Sequence, residues 1–207
     1  VFVREGQRKP PVSASQPTGQ SIPVPQSGFD IRFKIFLVIL AIFMLGNSSD
    51  FFVILRAQSL GASVFQVTLM LVLLNLAYAA FSLPAGRLSD RWGRRGVIVL
   101  GWLIYALVYL GFAVASRPWQ VWLLFAVYGV YYGVVEGVVR AMVADLVTEA
   151  KRGTAYGLYH GVVGFALLAA SLLAGWLWQA VSPAAPFYLG AALALAAMLG
   201  MAAFLKA

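Results

Sequence analysis

Between Val97 and Ala115 the chain reads VIVLGWLIYALVYLGFAVA, nineteen residues without a charge. Wound as a helix, such a run is about 28 Å long, close to the thickness of a bilayer's hydrocarbon core. Comparable runs recur at about 33–55, 66–85, 96–115, 119–143, 155–178 and 184–205. In hydrocarbon every backbone amide needs an internal partner, so only helices and closed barrels cross a membrane. Barrel strands alternate apolar and polar residues, and these runs do not. The expected fold class is all-α: a polytopic membrane protein with six transmembrane helices. A chain that is 62% hydrophobic and 11% charged also has too little polar surface for a soluble domain.

Residues 1–32 differ in kind. They are rich in Pro, Ser and Gln, hold five of the nine prolines, and show no apolar period. They are expected to be a disordered cytoplasmic linker or tail, ahead of a six-helix bundle over 33–207. Their basic residues precede no short apolar core with a cleavage site, so a signal peptide is not expected. The chain starts at Val1 and its first methionine, Met44, lies inside the first apolar run. A fragment is therefore expected, with residues 1–32 joining it to something upstream. With no cysteine, disulfides and thiolate metal sites are excluded.

The net charge of +8 raises the question of nucleic acid, but cytoplasmic loops of membrane proteins collect basic residues for a simpler reason. Six spans put both termini on one side. With that side inside, twelve Lys and Arg residues are cytoplasmic, only Arg56 and Arg117 lie outside, and Arg140 sits within a span. The reverse topology inverts the bias. Trp119, Trp122, Trp176 and Trp178 then fall at the outer ends of spans four and five, as an interfacial belt requires. The expected location is the cell (inner) membrane with both termini cytoplasmic, the lipid bilayer as partner, and no nucleic acid.

Between spans two and three lies PAGRLSDRWGRRG, Pro84 to Gly96, with Arg87, Asp90, Arg91, Arg94 and Arg95 in one short stretch. A topology signal needs only the arginines. It leaves Asp90, Gly86 and Gly93 unexplained. Glycine permits a tight turn and close helix approach, and an aspartate among arginines can hold a charge-assisted network. The pattern Gly86-x-Leu88-x-Asp90-Arg91-x-Gly93-Arg94-Arg95 resembles the signature loop of the major facilitator superfamily. That family carries the loop between helices two and three, and often again between eight and nine. Arg140 in span four and Glu149-Ala150-Lys151-Arg152-Gly153 in the next cytoplasmic loop resemble features the family pairs with it.

The resemblance covers residues 33–207 and implies helices seven to twelve, the carboxy-terminal half of a twelve-helix transporter. It implies two inverted three-helix repeats, about 33–116 and 119–206, and a missing amino-terminal six-helix half as partner. Asp145, near the carboxy end of span four, meets an unfavourable helix dipole unless Arg94, Arg95, Lys151 or Arg152 compensates it. A cytoplasmic cluster that forms in one conformation and breaks in another biases a two-state equilibrium. Gly86, Asp90, Arg91, Gly93, Arg94, Arg95, Arg140, Asp145, Glu149 and Arg152 are therefore assigned to gating. A static staple is the alternative.

Ionisable groups within spans are functional candidates by default. Span one contains Gly46-Asn47-Ser48-Ser49-Asp50, with Asn47 and Asp50 three apart on one helix face, in a stretch able to unwind as transporter sites do. Alternatively, Asp50 pairs with Arg56. Span four carries Glu136 and Arg140, an i,i+4 pair able to satisfy itself. Span five carries Tyr156, Tyr159 and His160. By helical rise Glu136 and His160 lie roughly 13 Å and 9 Å from their cytoplasmic helix ends, so the two can meet at one depth and couple protons. A structural histidine is the alternative. Asn47, Asp50, Glu136, Tyr156 and His160 are the candidates for solute or proton coupling, with Asn75, Tyr131 and Tyr132 as weaker lining candidates. Gly129, Gly133 and Gly137, at spacing four, suit close helix packing. Spans three and six look nearly free of polar groups and are expected to face lipid.

The function expected is secondary active transport of a small solute by alternating access, with protons as a possible coupling ion. A scaffold or receptor retaining the fold is the alternative. An enzyme is not expected, because no nucleophile–base or metal-ligand constellation is present, and no cofactor or metal is expected.

Overall fold

The computed structural model describes residues 28–204, so the expected linker lies outside the described residues except for its last five. Every regular element in them is helical. The helices are α1 (Ile31–Gly46), α2 (Phe51–Ser59), α3 (Val64–Trp92), α4 (Arg94–Val114), α5 (Pro118–Asp145), α6 (Arg152–Ala180) and α7 (Ala185–Phe204), with one 3-10 turn at Glu149–Lys151. Counting α1 and α2 as two pieces of one span, and the 3-10 turn with α6, six segments are long and apolar enough to cross a membrane. The first helix starts at Ile31, where Asp30 accepts a hydrogen bond from the Arg32 amide at 3.0 Å.

Local chemistry sets the other boundaries. Ser63 and Gln66 form a reciprocal capping box at the start of α3, 3.2 and 2.9 Å. Pro118 opens α5, while the Gln120 side chain accepts from the Ser116 and Arg117 amides. Gly93 alone separates α3 from α4, at φ +80°, a conformation that disfavours other residues.

The segment Pro84–Trp92 was expected to be part of a loop. It is instead the last turns of α3, and Pro84 lies inside that helix. Hydropathy reports where the membrane ends, whereas a helix continues until its backbone is interrupted, here at Gly93. Gly93 thus makes the expected tight turn. Gly86 makes no close approach, since a Cβ there would meet nothing within 4 Å.

Side by side, α3 packs mainly on α5, α4 on α7 and α5, and α1 on α7 and α6. Between helices in lipid no hydrophobic drive distinguishes protein from hydrocarbon, so fit and close approach do the selecting. Gly129 and Gly133 bring α5 against the α3 backbone, where an added Cβ would lie 2.2 Å from the Leu74 carbonyl oxygen and 2.7 Å from that of Tyr78. Gly46 and Gly190 do the same for α1 and α7. Gly137, the third of the stripe, opens onto space.

The expectation for spans three and six holds for one face only. Leu103, Leu107 and Leu110 of α4 are exposed, but Trp102, Tyr105, Tyr109 and Phe112 are fully buried and form much of the core. Phe43 stacks on Trp102 with centroids 4.6 Å apart, and Tyr105 stacks on Tyr109 at 4.1 Å. In α7, Phe187, Ala194 and Met201 are fully buried. By contrast, α3 and α6 leave long apolar faces uncovered, including Phe65, Leu76 and Leu83 on α3 and Phe165, Leu172 and Trp176 on α6.

Candidate functional site

Gly46 to Asp50 breaks the first span. Gly, Asn, Ser, Ser and Asp all have side chains, or none, that favour non-helical backbone, and Asn47, Ser48 and Ser49 are not helical. Neighbouring helices supply the lost hydrogen bonds. The Tyr105 hydroxyl on α4 donates to the Gly46 carbonyl at 3.0 Å and lies 3.3 Å from Asn47 Oδ1. The Ser49 amide donates to Ser171 Oγ on α6 at 3.3 Å. Because the backbone is broken, Asn47 and Asp50 share no helix face. Asn47 turns to Tyr105, whereas Asp50 sits at the start of α2, where the helix dipole favours a carboxylate.

Asp50 does not pair with Arg56. The Arg56 guanidinium instead caps the open carboxy end of α4, donating to the carbonyls of Phe112, Ala113 and Ala115 at 2.9, 3.2 and 3.0 Å. Asp50 accepts from two tyrosines on α5: Tyr128 at 2.8 Å, and Tyr132 at 2.9 Å to each carboxylate oxygen. Tyr132 is among the weaker candidates in the sequence, and Tyr128, Tyr105 and Tyr109 are not singled out there. A signal for two of them was present. Tyr128, Tyr132, Glu136 and Arg140 recur every four residues, one stripe of a helix, directly beside the glycine stripe that seats α5 on α3.

That stripe lines two clefts along the α3–α5 seam. The first, about 300 Å³, holds Asp50, Tyr128, Tyr132 and Glu136, with Asn75 and Tyr78 contributed by α3. Asn75 donates its side-chain amide back to the Leu71 carbonyl at 2.8 Å. Val53, Leu71 and Phe125 supply apolar wall. Two candidates far apart in sequence, Asp50 and Glu136, therefore share one cavity.

Glu136 is ion-paired with Arg140, the self-satisfied arrangement. Tyr156 donates its hydroxyl to the Arg140 carbonyl at 2.9 Å, fastening α6 to α5. His160 lines neither cleft and is exposed, its ring edge-on to Tyr159 at 4.8 Å. The expected Glu136–His160 pair across a cavity between spans four and five is not formed. Equal depth fixed the heights of the two residues but not the rotation of either helix.

At the charged end, Asp145 pairs with Arg94, one of its four candidate cations. Arg95 donates to the Ala202 carbonyl at the end of α7, and Arg152 pairs with Glu149 at 3.2 Å. Lys151 donates to the Gly28 carbonyl at 2.7 Å. The second cleft, about 350 Å³, lies here and is lined by Asp90, Arg94 and Arg140, with Ser82, Ser89 and Gly137. Tyr78 lines both clefts. Asp90 belongs to none of the three ion pairs among the described residues. Arg91 is exposed on the last turn of α3, clear of the cleft, while Gly86 borders it.

Comparison with known proteins gives this arrangement its context. Residues 35–207 match the family model described as Major Facilitator Superfamily. An uncharacterised MFS-type transporter of Methanocaldococcus jannaschii is 42% identical over 170 residues, 79% of this chain and 42% of that protein. Tetracycline resistance protein, class B, of Escherichia coli is 29% identical over 124 residues, covering 60% of this chain and 30% of that one. The multidrug resistance protein MdtH of Cronobacter sakazakii is 29% identical over 122 residues, 59% and 30% respectively. Among solved structures, an auto-inhibited POT family peptide transporter superposes with a TM-score of 0.68 at 18% identity, over 86% of this chain and 37% of that one. The chain thus spans less than half the length of these relatives.

Proposed function

The chain belongs to the Major Facilitator Superfamily, an integral membrane protein of transporter lineage, and from that premise we propose that it is one half of a secondary transporter. It moves a small solute by alternating access and couples that movement to protons. The uncovered apolar faces of α3 and α6 receive a second six-helix half, and the cleft at Asp50 opens onto the path between halves. Both ends of the chain lie in the cytoplasm, in line with the distribution of Lys and Arg.

The observation that carries this reading is the seat of Asp50. A carboxylate inside a membrane span is costly to keep. Here it sits at a helix break, is oriented by two tyrosines, and shares a cleft with Glu136. We assign proton coupling to Asp50 and Glu136. At the charged end, Asp90, Arg94, Arg140 and Asp145 act as the gate. The second cleft there gives Asp90 and the arginines room to re-pair, and a network with two pairings biases a conformational equilibrium.

The test is solute uptake by the complete transporter in proteoliposomes, with and without an imposed pH gradient. Gradient-dependent accumulation that Asp50→Asn removes, at unchanged protein content, supports the reading. A protein that carries no solute under any gradient sinks it.

A further inference from the structure

We infer that the cleft between α2, α3 and α5 takes an organic solute bearing one positive charge on an apolar or aromatic body. The inference rests on the transporter reading and narrows its substrate class. Asp50 and Glu136 both line the cleft, and none of its lining residues is Lys, Arg or His. The guanidinium beside it, Arg140, is paired with Glu136 and faces the other cleft. Arg56, six residues from Asp50, is committed to the carbonyls at the end of α4.

The Arg140 charge therefore offsets Glu136, while Asp50 is held by neutral hydroxyls only and enters none of the ion pairs among the described residues. One negative charge in the cleft is left without a cationic partner, and a single cation complements it. An anionic solute would meet two carboxylates and no donor of positive charge.

The walls separate an organic cation from an inorganic one. A bare metal ion needs several oxygens at short range to replace its hydration shell. This cleft is lined by the aromatic side chains of Tyr78, Phe125, Tyr128 and Tyr132 and the aliphatic ones of Leu71 and Leu74. Aromatic faces attract a weakly hydrated ammonium centre and accept the carbon around it. A cleft of about 300 Å³ is at the small end for ligand sites, which suits a one-ring solute.

The experiment measures binding of benzyltrimethylammonium to the purified complete transporter by equilibrium dialysis, with benzenesulfonate and benzyl alcohol as anionic and neutral counterparts. The cation should bind, the counterparts should compete weakly, and Asp50→Asn should raise Kd about tenfold or more. Glu136→Gln, which leaves Arg140 unpaired, should also weaken the cation. Size-exclusion profiles and Tm verify that both variants are folded. Wild-type protein that ignores the cation, or binds it equally well as Asp50→Asn, overturns the inference. Transport of neutral or anionic solute by that same protein would leave the transporter reading standing. Asp50-dependent binding without movement of the cation across proteoliposomes supports the site and counts against the transporter reading instead.

Discussion

Tyr132 places its hydroxyl 2.9 Å from both carboxylate oxygens of Asp50, joining the middle of the fourth span to the break in the first. Tyr128, one turn earlier, reaches one of those oxygens from a fully buried position. The two tyrosines thus differ in what their loss should do. Tyr132→Phe removes the hydroxyl that reaches both carboxylate oxygens at a position only partly buried, so solute affinity should fall while Tm holds. A hydrogen bond to a charged group contributes about 1.5–3 kcal/mol, which sets the expected affinity loss at about tenfold or more. Tyr128→Phe should lower both affinity and Tm. Binding and thermal unfolding measured on the same preparations check the contrast.

The glycine stripe of α5 makes a sharper test of packing. Gly133→Ala drives a Cβ to 2.7 Å from the Tyr78 carbonyl oxygen, and Gly129→Ala drives one to 2.2 Å from that of Leu74. Backbone cannot step aside as a side chain can, so α3 and α5 must separate, at a cost of about 1–3 kcal/mol or more. Gly137→Ala meets nothing within 4 Å and should be neutral or gain roughly 0.5–1 kcal/mol from helix propensity. Thermal midpoints in detergent should rank Gly137→Ala at or above wild type, with the other two clearly below. Equal losses at all three positions would refute the packing account.

These contrasts show where the sequence could be read and where it could not. Six spans and the break at Gly46–Asp50 were legible because hydropathy and local backbone preference act over short stretches. The ends of the helices were less so. The charges of Arg87, Asp90 and Arg91 end the apolar run, yet the α3 backbone runs on to Trp92 and stops only where Gly93 adopts positive φ. Partnership was harder still. Asp50 and Tyr128 are 78 residues apart, and their meeting depends on how α5 is rotated, which the glycine stripe decides. His160, which lines neither cleft, shows the same point, since helical rise gives depth and leaves rotation open.

The charged end separates a gate from a staple. Arg94 and Asp145 are about a third and a half exposed, so the pair contributes at most roughly 0.2–1 kcal/mol to stability. Arg94→Glu should therefore lower Tm little while cutting turnover strongly, and Asp145→Arg in the same chain should restore much of it. Asp90→Asn should likewise reduce turnover far more than the amount of folded protein in the membrane. Losses of turnover and folded protein in proportion would identify a static staple.

The proposed orientation rests on the charge bias and can be tested without transport. Reporter enzymes fused after residues 92, 117, 151 and 181 should report inside, outside, inside and outside. Residues 117 and 181 fall between helices, 92 is the last residue of α3, and 151 ends the 3-10 turn ahead of α6. A single reversed site is incompatible with six full crossings in this sense.

The proposed proton coupling divides Glu136 from His160. Glu136 shares the Asp50 cleft and faces Arg140, so a change in its charge alters both the cleft and the ion pair that borders the second cleft. Glu136→Gln keeps the shape and removes the charge. Gradient-driven uptake should disappear, while exchange of solute at equal pH on both sides remains measurable, because Asp50 and its tyrosines still form the seat. His160 is exposed beside Tyr159 and borders neither cleft, so His160→Gln should leave the response to a pH gradient within about twofold of wild type, an effect too small to place it on the coupling path. If the histidine variant loses the gradient response and the glutamine variant at 136 keeps it, coupling runs along α6, and the assignment to the α3–α5 seam is wrong.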